Sequence, residues 1–197
     1  MLDYARARPG EAIDRIVVTV TFMRLDRRPP ITWSPLPPDA VVQPARRMTV
    51  ATYRALYDRV GQPWLWWLRR MMPDDMLARL LADPATAIHV LTLNGVEVGF
   101  FELDATPWPD INLSYFGLTP EAIGQGIGFS LLGAAIERVF AGPVRGMTVN
   151  TCTADHPRAL PNYLRAGFRV TRQVNEVWDI PCRLGFTIPD RLRPSAG

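Results

Sequence analysis

Three glycines crowd the run Ile123-Gly124-Gln125-Gly126-Ile127-Gly128-Phe129, between a strand-like segment, Ile111 to Leu118, and a helix-like one carrying Leu131, Leu132, Ala135, Ile136 and Val139. Glycines at a strand-to-helix junction open a helix whose first N–H groups have no intrahelical partner and whose dipole end is positive. Residues without Cβ let an anionic group approach those donors closely, so the chemistry this run suits is holding a diphosphate. The spacing Gly124-x-Gly126-x-Gly128 is neither the dinucleotide fingerprint nor the P-loop, and no Lys follows it. An ordinary nucleotide-binding protein is therefore disfavoured.

A second run, Ala159-Leu160-Pro161-Asn162-Tyr163-Leu164-Arg165-Ala166-Gly167-Phe168, follows downstream. Taken in order, the two runs resemble the paired motifs of the GNAT superfamily of N-acetyltransferases, [Q/R]-x-x-G-x-[G/A] and a closing Tyr-x-x-x-Gly-Phe. The resemblance extends from about Ile88 to Asp179 and is most specific from Tyr115 onward. It departs from the family pattern at Ile123, where Gln or Arg is usual, and at His156, where an Asn often precedes the second helix. The departure leaves Asp155-His156-Pro157-Arg158 at the end of the strand.

The resemblance implies acetyl-CoA as cosubstrate, without a metal, and an amine as acceptor. It implies that Ile123, Gly124, Gln125, Gly126, Ile127, Gly128 and Phe129 cradle the diphosphate, and that Phe116, Gly117 and Leu118 on a splayed strand hold the pantetheine arm. A glycine within a strand pattern, as at Gly117, independently indicates a bulge or a close backbone approach. Tyr163 takes the family's position for the acid that meets the departing sulfur. Attack by an amine also requires a proton acceptor; Glu102, Asp104 and Asp110 are the carboxylates on the neighbouring strands, and Glu102 on the second hairpin strand is the candidate. The implied reaction is direct transfer in a ternary complex to a small-molecule amine. Two alternatives stay open: a non-catalytic acyl-CoA-binding sensor or interaction module, and a protein or peptide acetyltransferase.

The elements that must position these residues are legible in outline. Ile16 to Phe22 reads as an opening strand, and six prolines between Pro29 and Pro44 make residues 29–47 a connector running over the surface. Thr49 caps a helix carrying Tyr53, Leu56, Tyr57 and Val60 that stops at Gly61. Trp64, Trp67, Leu68 and Met71 fall at helical spacing, and Asp74 or Asp75 opens a third helix ending at Asp83-Pro84. Trp66 lies off that apolar stripe and, with Trp64, Trp67, Tyr53 and Tyr57, supplies aromatic surface for an acceptor pocket. Asn94-Gly95 joins two strands, 87–93 and 96–103, as a tight hairpin. Strands at 144–153 and 168–180 bracket a short helix at 158–166. This order predicts a mixed α/β fold: the GNAT acyltransferase fold, a central, mostly antiparallel sheet with splayed middle strands, flanked by helices.

A chain of 197 residues with 48% hydrophobic content is expected to form one domain, 1–197, with residues 1–15 as a polar lead. Asp3, Arg6, Arg8, Glu11 and Asp14 argue against a signal peptide, and no run reaches the roughly 18 apolar residues of a membrane span. A cytoplasmic protein without a membrane partner is the expectation, and a homodimer is compatible with it. Cys152 and Cys182, far apart, support neither a disulfide framework nor a zinc site. Every basic residue is Arg, the net charge is only +3, and basic residues are scattered, which argues against nucleic-acid binding.

Overall fold

A computed structural model describes residues 3–194. Residues 1 and 2 of the polar lead, and residues 195–197 of the expected domain, lie outside the described residues. The fold is a seven-stranded sheet in the order β2-β3-β4-β5-β6-β1-β7. Its strands are β1 Ile13–Leu25, β2 Ala40–Pro44, β3 Thr86–Leu93, β4 Val96–Asp104, β5 Asp110–Leu118, β6 Gly146–Cys152 and β7 Arg169–Pro181. All neighbours are antiparallel except β5 and β6. The helices are α1 Val50–Gly61, α2 Leu68–Met71, α3 Asp74–Ala82, α4 Ile127–Phe140 and α5 Ala159–Arg165. No helix among the described residues is long and apolar enough to cross a membrane.

Helices cover both faces of the sheet, so β4 is buried along nearly its whole length rather than on alternate residues. On one face α4 packs Leu131, Leu132, Ala135 and Ile136 against Met23, Phe101, Leu113 and Met147, and Tyr163 and Phe168 extend that core. On the other, Tyr53, Leu56, Tyr57 and Val60 of α1 and Leu77 of α3 meet Ile88, Val90 and Phe100. The hairpin turns at Asn94 and Gly95, both with positive φ, which is the type I′ geometry that matches strand twist. Thr49 caps α1 by accepting from the Thr52 amide.

Two expectations change. The connector 29–47 contains a strand: β2 pairs with β3, and as an edge strand it tolerates Pro44. The same connector is pinned by Trp33, whose indole N–H donates to Glu137 of α4 at 2.9 Å and whose ring occupies the space above Gly133. The stretch 64–71 is not one helix. A 3-10 turn over Gln62–Trp64 ends at Leu65 in the left-handed conformation, and only the single turn α2 follows. Helical spacing of four apolar residues could not register a left-handed residue among them. On the position of the opening strand the sequence was silent: β1 lies between β6 and β7, so the first strand of the chain is sewn between two late ones.

Candidate functional site

The site begins where the parallel pair of the sheet, β5 and β6, comes apart. β5 and β6 pair from Asp110 opposite Gly146 to Leu113 opposite Val149 and no further. Beyond that point β5 continues along β4 to Leu118, while β6 continues along β1 to Cys152. The facing edges of Ser114–Leu118 and Asn150–Cys152 therefore border a wedge, and backbone groups turned into it need partners from elsewhere. Asp110 locks the closed end. It takes paired bonds from Arg24, both at 2.8 Å, and from Arg145 at 2.7 and 3.2 Å, and these guanidinium contacts, Arg24 first, hold its carboxyl well below the usual range.

Divergence has a local cause in β5. The register against β4 passes from Leu103 opposite Leu113 to Glu102 opposite Tyr115, so Ser114 is the extra residue of a bulge, and a bulge bends its strand. The bulge expected at Gly117 is thus three residues earlier. Gly117 is instead a close approach: a Cβ there would lie 2.5 Å from Val60 Cγ1 and 3.3 Å from the Trp66 ring. Trp66 also lies over Gly61, where a Cβ would meet it at 2.5 Å, and its amide donates to the Gly61 carbonyl. Left-handed Leu65 and these two glycines together place the Trp66 ring against Tyr57 and Tyr115.

A cavity of about 540 Å³ occupies the wedge. Phe116, Gly117 and Leu118 line one wall, and Ile123, Gly124, Gly126, Gly128 and Phe129 line its mouth. Gly124 and Gly126 have positive φ, with open space where a Cβ would be, and Gly126 starts α4 without any side-chain cap. The first amides of α4 thus end on open ground beside the wedge. Two residues of the expected cradle do not line the cavity: Ile127 is core, and the Gln125 side chain bonds the Glu121 carbonyl on the outer surface. Arg158, Asn162 and Arg165 do line it, from α5 and its start, and Arg165 stacks over Phe129 at 4.0 Å. Their spacing of four and three is one helical face, a signal present in the sequence and not used.

Tyr163 is 5% exposed and lines the cavity, its ring against Phe116 and Phe168. No hydrogen bond occupies its hydroxyl among the described residues. Burial pushes this hydroxyl up, and the charge of Asp155 adds to the effect. Asp155 also lines the cavity and accepts from the Thr151 hydroxyl at 2.7 Å and the Cys152 amide at 2.9 Å; burial nevertheless raises its carboxyl. His156 is held below its usual value by burial and then by Arg158, and its Nδ1 accepts from the Arg158 amide, which leaves the proton of the neutral ring on Nε2.

Glu102 is elsewhere. It is 1% exposed and absent from the cavity lining; its carboxylate takes Arg69 at 2.6 Å and the Tyr53 hydroxyl at 2.5 Å. Alternation along β4 could not reveal this, because both faces of that strand are covered. Asp104 and Asp110 likewise lie outside the lining. The far wall is aromatic: Phe22 from β1, Trp64 and Trp66 from the loop, and Trp178 from β7, with Glu176 beside it. Glu176 and Trp178 escaped sequence reasoning because nothing in the chain announces that β7 lies next to β1.

This chain belongs to the GNAT family of acetyltransferases, whose sequence model matches residues 53–168. Among solved structures it is similar to a GCN5-related N-acetyltransferase from Sphaerobacter thermophilus, at 20% identity and a TM-score of 0.59, over 88% of this chain and 54% of that one. It also resembles the ribosomal-protein-S18-alanine N-acetyltransferase of Escherichia coli, at 14% identity and 0.56, covering 78% and 98% of the two chains. A third likeness is to an aminoglycoside acetyltransferase from an uncultured soil metagenomic sample, at 16% and 0.53, covering 65% and 87%. At these identities the likeness speaks for the fold. The chain spans about half the length of the Sphaerobacter protein. No curated protein sequence matches it.

Proposed function

We propose that this acetyltransferase moves an acetyl group from acetyl-CoA directly to a small-molecule amine, with both substrates in the wedge between β5 and β6. The observation that carries the reading is the wedge itself: unpaired strand edges, an uncapped helix start with open glycines, and a buried tyrosine in one cavity. The residues fit an extended ligand with an anionic end. Amides at the start of α4 would hold the diphosphate, with Arg158 and Arg165 at hand for further phosphate charge. The Phe116–Leu118 edge would pair with the amide-bearing arm as a strand pairs with a strand. Acetyl-CoA supplies the activated acyl group.

The chain's own residues then handle two protons. Tyr163, protonated because burial raises it, is the donor for the departing sulfur. Asp155 is the proposed acceptor of the amine's proton: it lines the cavity, and burial raises its carboxyl. Glu102 acts at a distance, fixing Arg69 and Tyr53 behind the wall. Phe22, Trp64, Trp66 and Trp178 favour an acceptor with an apolar or aromatic body. A panel of amines assayed for thiol release from acetyl-CoA tests the reading: turnover with hydrophobic small amines, and none with peptides, is expected. Absence of turnover with every amine, despite acetyl-CoA binding, would replace it with a binding module.

A further inference from the structure

The sheet ends on β7, whose outer edge has no strand neighbour among the described residues. β7 is 13 residues long, its residues Arg169–Asn175 are all exposed, and no proline interrupts it before Pro181. Val170, Val174 and Val177 are 45%, 36% and 52% exposed, and Val17, opposite Val177 on β1, is also exposed. A long edge strand with exposed apolar residues is a template for another strand, and its charges limit which strand can pair with it.

Its charges say which strand. Arg172 and Glu176 share one face of β7, and among the described residues neither has an ion-pair partner: Arg172 lies over the Phe22 ring at 3.9 Å, and Glu176 only accepts from the Trp178 indole at 2.8 Å. Four residues along one strand separate them by about 13 Å, too far to pair within a chain. Antiparallel pairing with a second β7 about a twofold axis at Val174 brings Arg172 opposite Glu176 twice, Gln173 opposite Asn175 twice, and Val174 opposite itself. Slipping by two residues either way sets Glu176 against Val170 or Val174 instead. The register is therefore specified by charge, as cross-strand pairs specify it elsewhere. The bulge at Thr171, between Arg172 opposite Phe22 and Val170 opposite Met23, bounds the pairing on one side.

We propose that the protein is a homodimer joined by β7 to β7, giving one sheet continuous across both copies, with reciprocal Arg172–Glu176 pairs. The contact is isologous and closes on itself, so it yields a dimer rather than a fibre. It also reaches the site: Phe22, Glu176 and Trp178 line the cavity, and Arg172 lies on Phe22, so the second copy's Arg172 comes to the rim of each acceptor wall.

Sedimentation equilibrium of the full chain tests this independently of any activity. The wild type is expected at twice the 22.1 kDa monomer mass, dissociating on dilution. Arg172→Glu and Glu176→Arg should each weaken the dimer by about 100-fold or more, because each creates two like-charge contacts. Mixing the two single variants should restore association, since every cross-strand pair is then opposite in sign, and the combined Arg172→Glu/Glu176→Arg chain should dimerise with itself. Circular dichroism establishes that each variant is folded. A wild type that stays monomeric at high concentration overturns the proposal, as does a dimer indifferent to both reversals. A monomer that instead takes up an extended peptide along β7 would assign the edge to a different partner and also overturn it.

Discussion

β5 is two strands in one. Its first half, Asp110 to Leu113, pairs on both sides and is clamped by Arg24 and Arg145. Its second half, Ser114 to Leu118, keeps β4 but has lost β6, and faces a cavity. The first half reads Asp-Ile-Asn-Leu and the second Ser-Tyr-Phe-Gly-Leu, each mixing polar and apolar residues, so hydrophobicity does not separate them. Pairing does: where backbone groups are spent on a neighbour the strand is scaffold, and where they are free the strand can bind. The closed half sets the angle at which the open half stands.

The comparison can be broken most severely at the open half. Tyr163→Phe keeps the ring against Phe116 and Phe168 and removes only the hydroxyl; turnover should fall on the order of 10²–10⁴-fold with acetyl-CoA affinity little changed. Steady-state kinetics at saturating acetyl-CoA, paired with calorimetric binding, checks this; a wild-type rate with chemistry limiting would remove Tyr163 from the mechanism. The direction of its shift adds a condition. Because its folded value is raised above the usual ~10, the donor remains protonated and no alkaline decline belonging to it should occur below that pH.

Next in size, Asp155→Asn should cost about 10²-fold in kcat/KM. In the wild type, Asp155 becomes a base only as pH rises through its raised value, so its acid limb lies above the ordinary ~3.9 of aspartate and should vanish in the variant. A pH–rate profile with the same limb in both proteins counts against the assignment. Smaller still, Gly126→Asp puts a carboxylate in the open space at the start of α4, and acetyl-CoA affinity should drop by roughly 10–100-fold from charge repulsion and lost helix-end attraction. Normal affinity in the folded variant would move the diphosphate elsewhere.

At the closed half the effect should be on stability, and modest. Asp110 is depressed in the folded protein, so its contribution is present above the unfolded value near ~3.9 and is lost as pH falls through the lower folded value. Asp110→Asn should therefore melt earlier than wild type at pH 7, and the two melting curves should converge in strong acid. A large loss of turnover with unchanged melting would mean that the closed half also takes part in chemistry.

What the sequence revealed follows the same division. Gly124 and Gly126 were legible as the opening of α4 because their positive φ demands glycine, and the hairpin at Asn94-Gly95 because its turn demands positive φ. The bulge at Ser114 left no such mark, and Gly117 pointed to the right strand for a different reason, the closeness of Val60 and Trp66. The aromatic wall was sensed through Trp64 and Trp66 but not completed, since Phe22 and Trp178 arrive from the first and last strands. Glu102 was misplaced because a strand covered on both faces has no solvent side to read.

Hydrogen exchange with and without saturating acetyl-CoA tests the contrast most directly. The account predicts that Ser114–Leu118 and the first amides of α4, Ile127–Phe129, gain protection on binding, while Asp110–Leu113, already paired on both sides, exchanges slowly and unchanged. Bound acetyl-CoA that leaves 114–118 and 127–129 exchanging as before would contradict it.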